Sequence, residues 1–226
     1  MSGLKAVLFD MDGVIVDTEL EDFKAQVAFV KKINEENGRS SEGLDFKLLI
    51  GKSYALLLDQ LYALTDGMVD AEELWARFLA FDAEWNRHSD VSLLYRPETE
   101  EVLSVAKAFA LKTAVVSSSP QERIEEVLNA CGIRDEFDLI VSGALLERSK
   151  PAPTIYRNAL ADLSLAPEEC VAIEDSTCGI EAALAAGIPV IAYEEVRVPI
   201  DQTAATWKAR SLSEAASIIR SLAANG

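Results

Sequence analysis

An α/β fold, a doubly wound parallel sheet of Rossmann-like type with an inserted helical cap, is what this 226-residue chain predicts. Three observations lead there. Short, uninterrupted apolar runs recur along the chain, the form taken by strands buried on both faces of a parallel sheet. Helical patterns lie between them, and strands alternating with helices wind into a right-handed parallel sheet. One long stretch, residues 18–94, breaks that alternation with helical patterns alone.

Residues 5–9 read Lys-Ala-Val-Leu-Phe and stop abruptly at Asp10, which gives the first strand. In the stretch that follows, Leu20, Phe23, Val27 and Val30 make one helical stripe, closed by Asn37-Gly38. Tyr54, Leu57, Leu58 and Leu61 make a second. Leu74, Phe78, Phe81 and Trp85 make a third, introduced by Asp70 and Glu73 at capping-box spacing. The aromatic stripes read as core packing. Boundaries near Asp17 and near Arg96-Pro97 set off a cap of residues 18–94 from a core built of 1–17 and 95–226. Further strands are predicted at 113–116, 138–141, 170–173 and 189–192. Ile124, Val127, Leu128 and Cys131 follow a helical period that ends at Gly132. Ile155, Ala159 and Leu163 repeat at four-residue steps, and the alanine-rich 177–186 ends at Gly187-Ile188-Pro189. Trp207, ahead of the final helix, is expected to pack on the core.

Hydrophobic residues at 50% and charged residues at 26% suit a globular chain with a sizeable core. No apolar run approaches the roughly 20 residues that span a bilayer. The start of the chain holds a single early Lys5 and no stretch suited to a signal peptide, so a cytoplasmic protein is expected. Cys131, Cys170 and Cys178 are odd in number and lack metal-site spacing, and read as reduced, structural thiols. A formal net charge of −17 argues against nucleic acid and anionic membrane as partners. It opposes a phosphorylated substrate only weakly, because salt screens charge beyond roughly 8 Å. The composition is compatible with a monomer.

Ligands of open α/β sheets bind beyond the carboxyl ends of the strands. Four polar clusters stand there: Asp10-Met11-Asp12-Gly13, Ser117-Ser118-Ser119, Ser149-Lys150-Pro151 and Glu174-Asp175-Ser176. An isolated Asp-x-Asp suits a turn or helix caps. Here an apolar strand precedes it, a glycine follows, and a second acidic pair closes another strand. Several carboxylates gathered together call for a hard divalent cation, and Mg²⁺ suits few protein oxygens plus phosphate. Asp10 is then a candidate nucleophile on phosphorus and a metal ligand. Asp12 is a candidate acid/base, Lys150 a charge neutraliser, and Ser117 and Ser118, with helix N–H groups, a cradle for phosphoryl oxygens. Pro120 fits the opening of the helix that follows those serines.

These residues resemble the haloacid dehalogenase superfamily, specifically its phosphatases with a helical cap after the first motif. Phe9-Asp10-Met11-Asp12-Gly13-Val14-Ile15-Val16-Asp17-Thr18-Glu19 is similar to that family's first motif almost throughout. Ser117 fits the second motif, Lys150-Pro151-Ala152-Pro153 the third, and Glu174-Asp175-Ser176-Thr177-Cys178-Gly179-Ile180 the fourth. The resemblance implies that Asp10 is nucleophile and ligand, and that Asp12 is acid/base and ligates through its backbone carbonyl. It implies Asp175 as third protein ligand, with Glu174 beside it on the metal or its waters. Within the family the chain looks like β-phosphoglucomutase and the sugar- or glycolate-phosphate phosphatases. Asp12 argues against dehalogenase and phosphonatase activity. Leu49-Ile50-Gly51-Lys52-Ser53 resembles the mutase cap, but Tyr54, Ala55 and Leu56 follow where the mutases carry an arginine and an acidic-serine pair. Leu94-Tyr95-Arg96-Pro97-Glu98 lacks the glycine usual after that proline.

The expected function is a Mg²⁺-dependent phosphatase acting on a small phosphorylated metabolite, a sugar phosphate, through an aspartyl-phosphate. The alternatives are a phosphosugar mutase and a non-enzymatic role in binding phosphate and metal. Glu19 and Asp17 stand at the entry to the cap, where substrate orientation and hinge bonding are both open readings. Lys52 is read chiefly as an exposed lysine, His88 as a residue ending a helix, and Cys178 as helix packing.

Overall fold

In the computed structural model, which describes residues 3–50, 54–86 and 90–225, six strands form one sheet. They are β1 (Ala6–Phe9), β2 (Lys112–Ser117), β3 (Leu139–Ser142), β4 (Cys170–Glu174), β5 (Val190–Tyr193) and β6 (Trp207–Ala209). Every neighbouring pair is parallel, in the order β3-β2-β1-β4-β5-β6. Phe9 lies level with Val115 of β2 on one side and Ile173 of β4 on the other. The carboxyl ends of the three central strands therefore lie within two residues of one another, and whatever follows each strand meets at one edge.

The apolar runs form strands because both faces of the sheet are covered. Val7 and Phe9 point to one face, where α4 (Thr99–Ala108), α5 (Gln121–Ala130) and α8 (Leu212–Ala224) pack. Ala6 and Leu8 point to the other, against α6 (Thr154–Leu163) and α7 (Thr177–Ala185). That alternation is the two-residue period of a strand, and each side chain finds an apolar partner whichever way it faces. The helix over 121–130 stops where expected: Gly132 takes φ +72°, a left-handed conformation open to glycine. β6 went unforeseen. It has three residues at the sheet margin with Lys208 exposed, too short and too mixed for a periodic signal. Trp207 is half-buried against the core, as its sequence suggested.

Between β1 and β2 stand α1 (Glu19–Glu36), α2 (Tyr54–Leu64) and α3 (Ala71–Asn86), with an apolar cluster of their own. Phe29 of α1 meets Phe78 of α3 edge-on at 5.3 Å, and Leu61 and Leu74 are buried beside them. Asp70 caps α3 by accepting from the Glu72 N–H at 2.9 Å. The buried stripe of α1 is Ala25, Phe29, Val30 and Ile33, whereas Phe23 and Val27 only flank it. The stripe is rotated because another face of α1, bearing Glu19, Asp22 and Gln26, is turned toward a cavity. Among the described residues, no helix is long and apolar enough to cross a membrane.

The two chain segments joining this insertion to the sheet are bonded to each other. The Asp17 N–H donates to the Leu94 carbonyl at 2.7 Å, and the Arg96 N–H to the Ile15 carbonyl at 2.9 Å. Arg96 also reaches the Asp17 carboxylate at 2.9 Å and the Tyr193 hydroxyl at 2.7 Å. Arg197, in the loop after β5, donates to Asp17 and to Glu195, each at 2.8 Å. Its hydrogen bonds hold the carboxyls of Asp17 and Glu195 below the ordinary carboxylate range.

Two outcomes follow from this packing. Phe29→Ala should cost about 3–5 kcal/mol, measured by urea unfolding, because a nearly inaccessible ring leaves a cavity. Leu20→Ala, on the stripe the sequence favoured, should cost markedly less. The ion cluster sets the sign of an acid effect: carboxyls lowered on folding stabilise the fold above their unfolded values and lose that contribution as pH falls through the folded ones. Melting temperature against pH should therefore fall more steeply in the acid range for the wild type than for Arg197→Ala. Parallel curves would contradict the assignment.

Candidate active site

Asp10 extends β1 by one residue, its N–H donating to the Ile173 carbonyl at 3.0 Å. The chain then turns so tightly that the N–H groups of Ile15 and Val16 both return to the Met11 carbonyl. Gly13 makes the turn possible at φ +80°. A Cβ there would also lie 1.8 Å from Asp175 Oδ2, so the glycine makes room for a carboxylate from β4's end. The turn keeps Asp12 at the same edge as Asp10.

Lys150 enters from the loop before α6 and is buried. Its ammonium donates to Asp10 Oδ1 at 3.0 Å, to the Val116 carbonyl at 3.0 Å and to Glu174 Oε1 at 2.7 Å. Burial opposes this charge, but Asp10 and Glu174 outweigh it, and the lysine is held above its ordinary pKa. Glu174 is fully buried at the end of β4, and Tyr156 of α6 donates to the same Oε1 at 2.5 Å. Burial, then the neighbouring Asp10, pushes the Glu174 carboxyl up to about 7, against the opposing pull of Lys150. Asp175 is raised well above its ordinary value by burial first and by Glu19, Asp10 and Glu174 next.

Asp10, Glu174 and Asp175 each offer an oxygen within 4.8 Å of the others. Glu174 Oε2 and Asp175 Oδ2 are buried with no hydrogen-bond partner. Two buried acceptors without donors, in a group of three carboxylates, fit a hard divalent cation held by oxygen. Gly179 completes the cradle: a Cβ there would lie 1.9 Å from Glu174 Oε2. The Asp12 side chain stands outside this group. Its Oδ2 accepts from Ser119 Oγ at 2.9 Å and its Oδ1 from Thr18 Oγ1 at 3.3 Å. Burial and then Asp10 raise its carboxyl, against the lowering pull of the Ser119 hydrogen bond.

The serines divide the work at the end of β2. Ser117 Oγ accepts from the Ser119 N–H at 3.1 Å, and Ser118 Oγ shares a 3.3 Å hydrogen bond with Ser149 Oγ. Ser142 donates to the Ser119 carbonyl at 2.7 Å and so fixes the serine that holds Asp12. Asp10, Asp12, Ser117, Ser118, Lys150 and Asp175 all line one cavity of about 190 Å³, roofed by α1, α2 and α3. Glu174 lies buried behind them.

Asp10, Asp12, Ser117, Ser118, Lys150, Glu174 and Asp175 therefore stand together at this edge, and four contributors were missed. Ser119 belonged to a serine run in which nothing in the sequence tells which hydroxyl meets Asp12. Thr18 is the residue before α1. Tyr156 carries helical apolar spacing that hides its hydroxyl, and Gln202, from the loop beyond β5, donates to the carbonyls of Asp175 and Tyr193. Asp17 accepts from Arg96 and Arg197 where the helical insertion begins, and Glu19 lines the cavity. Cys178 is buried in α7 and also borders the cavity, and none of the three cysteines is in a disulfide. Lys52 and His88 lie outside the described residues.

Residues 7–193 match the model of a family described as haloacid dehalogenase-like hydrolase. The chain is 31% identical over 188 residues to a phosphorylated carbohydrates phosphatase of Thermotoga maritima, covering 82% of each chain. It is 30% identical over 182 residues to hexitol phosphatase B of Escherichia coli, covering 80% of this chain and 79% of the relative. A crystal structure of β-phosphoglucomutase from Clostridium difficile shares the fold, with a TM-score of 0.75 at 23% identity over 98% of both chains. With its motifs gathered at one sheet edge and the family match running from β1 to β5, the chain belongs to the haloacid dehalogenase-like hydrolases.

Proposed function

We propose that this protein is a Mg²⁺-dependent phosphatase that hydrolyses a small sugar phosphate through a phosphoaspartate on Asp10. The observation that carries the reading is the pairing, on one cavity, of Asp10 anchored by Lys150 with Asp12 held by Ser119 and Thr18. Names borne by the relatives, for phosphatases of phosphorylated carbohydrates and of hexitols, support the substrate class. A cavity of about 190 Å³ favours a small metabolite. A cytoplasmic setting belongs to the same reading, supported by three cysteines outside any disulfide.

Lys150 holds Asp10 Oδ1, which leaves the other carboxylate oxygen to form the bond to phosphorus. As the phosphorus–oxygen bond to the sugar breaks, Asp12 gives its proton to the departing oxygen. Ser119 and Thr18 keep that carboxyl in place, and the Ser117 and Ser118 hydroxyls with the N–H groups opening α5 receive phosphoryl oxygens. Asp12, now a carboxylate, takes a proton from water, whose oxygen attacks phosphorus. Inorganic phosphate leaves and Asp10 is restored. Asp10, Glu174 and Asp175, with the Asp12 backbone carbonyl, would hold Mg²⁺, which supplies positive charge against these carboxylates and the phosphoryl oxygens. Residues 18–94 act as a cap that excludes bulk water from the first step.

Asp10→Asn should lower phosphate release from sugar phosphates by at least roughly 1,000-fold, and Asp12→Asn by roughly 100- to 10,000-fold, with both proteins folded. Full turnover by Asp10→Asn would refute the mechanism.

Metal binding should also release protons, because Glu174 and Asp175 are raised and a ligating carboxylate is deprotonated. Mg²⁺ affinity measured by calorimetry should weaken as pH falls below about 7, the value to which Glu174 is pushed. An affinity indifferent to pH, or activity that survives a chelator, would remove the metal from the account.

A further inference from the structure

The cavity has two ends of unlike character. At the sheet edge Lys150 sets a buried ammonium beside Asp10. From Thr18, which bonds Asp12, α1 leads away along the cavity wall and presents Asp22 one turn on and Gln26 a turn beyond, on the same face. Among the described residues lining the cavity, Lys150 is the one cation. Gln26 Oε1 is buried with no hydrogen-bond partner. Asp22 is acted on by the charges of Asp12, Asp82 and Glu19, which oppose its ionisation, and by Arg123 of α5, which favours it.

Burial first, and then those three carboxylates, push the Asp22 carboxyl well above its ordinary value. An incoming anion at this wall meets the same two penalties: loss of water and proximity of negative charge. An uncharged hydroxyl escapes the repulsion, and its smaller loss of water is offset by donating to Gln26 Oε1, which lacks a donor. Leu57 and Phe78 add an apolar surface to the same space, suited to the C–H face of a carbon chain.

We infer that Asp22 and Gln26 form a subsite for the hydroxylated, uncharged end of a monophosphorylated carbon chain, and that they set specificity against a second anionic group. The inference rests on the phosphatase reading and deepens it. It also bears on the mutase alternative, because a sugar bisphosphate extending along α1 would set its second phosphate against this wall.

The test is a substrate panel for the whole protein with Mg²⁺: a hexitol monophosphate, a hexose bisphosphate and phosphoglycolate, compared by kcat/KM for phosphate release. The hexitol monophosphate should be preferred over each of the others by at least roughly tenfold. Asp22→Lys should narrow that preference by roughly tenfold, chiefly through KM for the anionic pair. Gln26→Lys, one turn on, should act in the same direction and serves as the second variant if the first fails to fold. Comparable turnover of all three by the wild type overturns the inference while leaving the phosphatase standing. A wild-type preference that neither folded variant shifts overturns the assignment to Asp22 and Gln26. Phosphate release from none of the three overturns the parent reading and this one with it.

Discussion

The ammonium of Lys150, buried between Asp10 and Glu174, is the interaction on which the rest of the site depends. A buried charge is tolerated only when it is paired and hydrogen-bonded, and this lysine has two carboxylates and a carbonyl as acceptors. The pairing leaves an excess. Three carboxylates converge where one lysine stands, and two of their oxygens have no donor. In the proposed reaction a divalent cation and a phosphoryl group would make up that deficit, the cation offsetting the charge of the carboxylates and of the phosphoryl oxygens. Gly13 and Gly179 are small for the same reason, since a side chain at either position would occupy the space of an orphan oxygen.

The sheet makes such a concentration of charge possible. β1 lies between β2 and β4, so the residues following three strands emerge side by side at the point where the winding reverses direction. The strands are anchored by apolar packing on both faces, which fixes their ends without help from the site. Stability and chemistry are thus carried by different atoms: the layers hold the backbone, and the loops at the edge hold the charges. A second strap ties this edge to the start of the helical insertion. Gln202 reaches the Asp175 carbonyl, and a few residues earlier in the same loop Arg197 grips Asp17 at the entry to the helical insertion.

Much of this was legible in the sequence, and the remainder failed for identifiable reasons. Strands buried on both faces announce themselves as apolar runs, so five of the six were found, with ends displaced by a residue or so. β6 escaped because a three-residue marginal strand has no period to detect. Asp10, Asp12, Ser117, Ser118, Lys150, Glu174 and Asp175 were legible because each directly follows or ends a strand, or lies in the loop before a helix. Ser119, Thr18 and Tyr156 were not, because their part depends on which way a side chain points after the chain has folded. The α1 stripe was misplaced by a fraction of a turn, since that helix has two faces in use, one apolar and one toward the cavity.

The central claim is that the phosphoryl group rests on Asp10 between the two halves of the reaction. The most direct measurement is mass spectrometry of peptides from protein quenched in acid during turnover of a sugar phosphate with Mg²⁺. The account predicts a phosphoryl mass increment on the peptide bearing Asp10, absent when substrate is withheld. An increment on a different residue, or turnover with no phosphorylated peptide under conditions that preserve acyl phosphates, would contradict it.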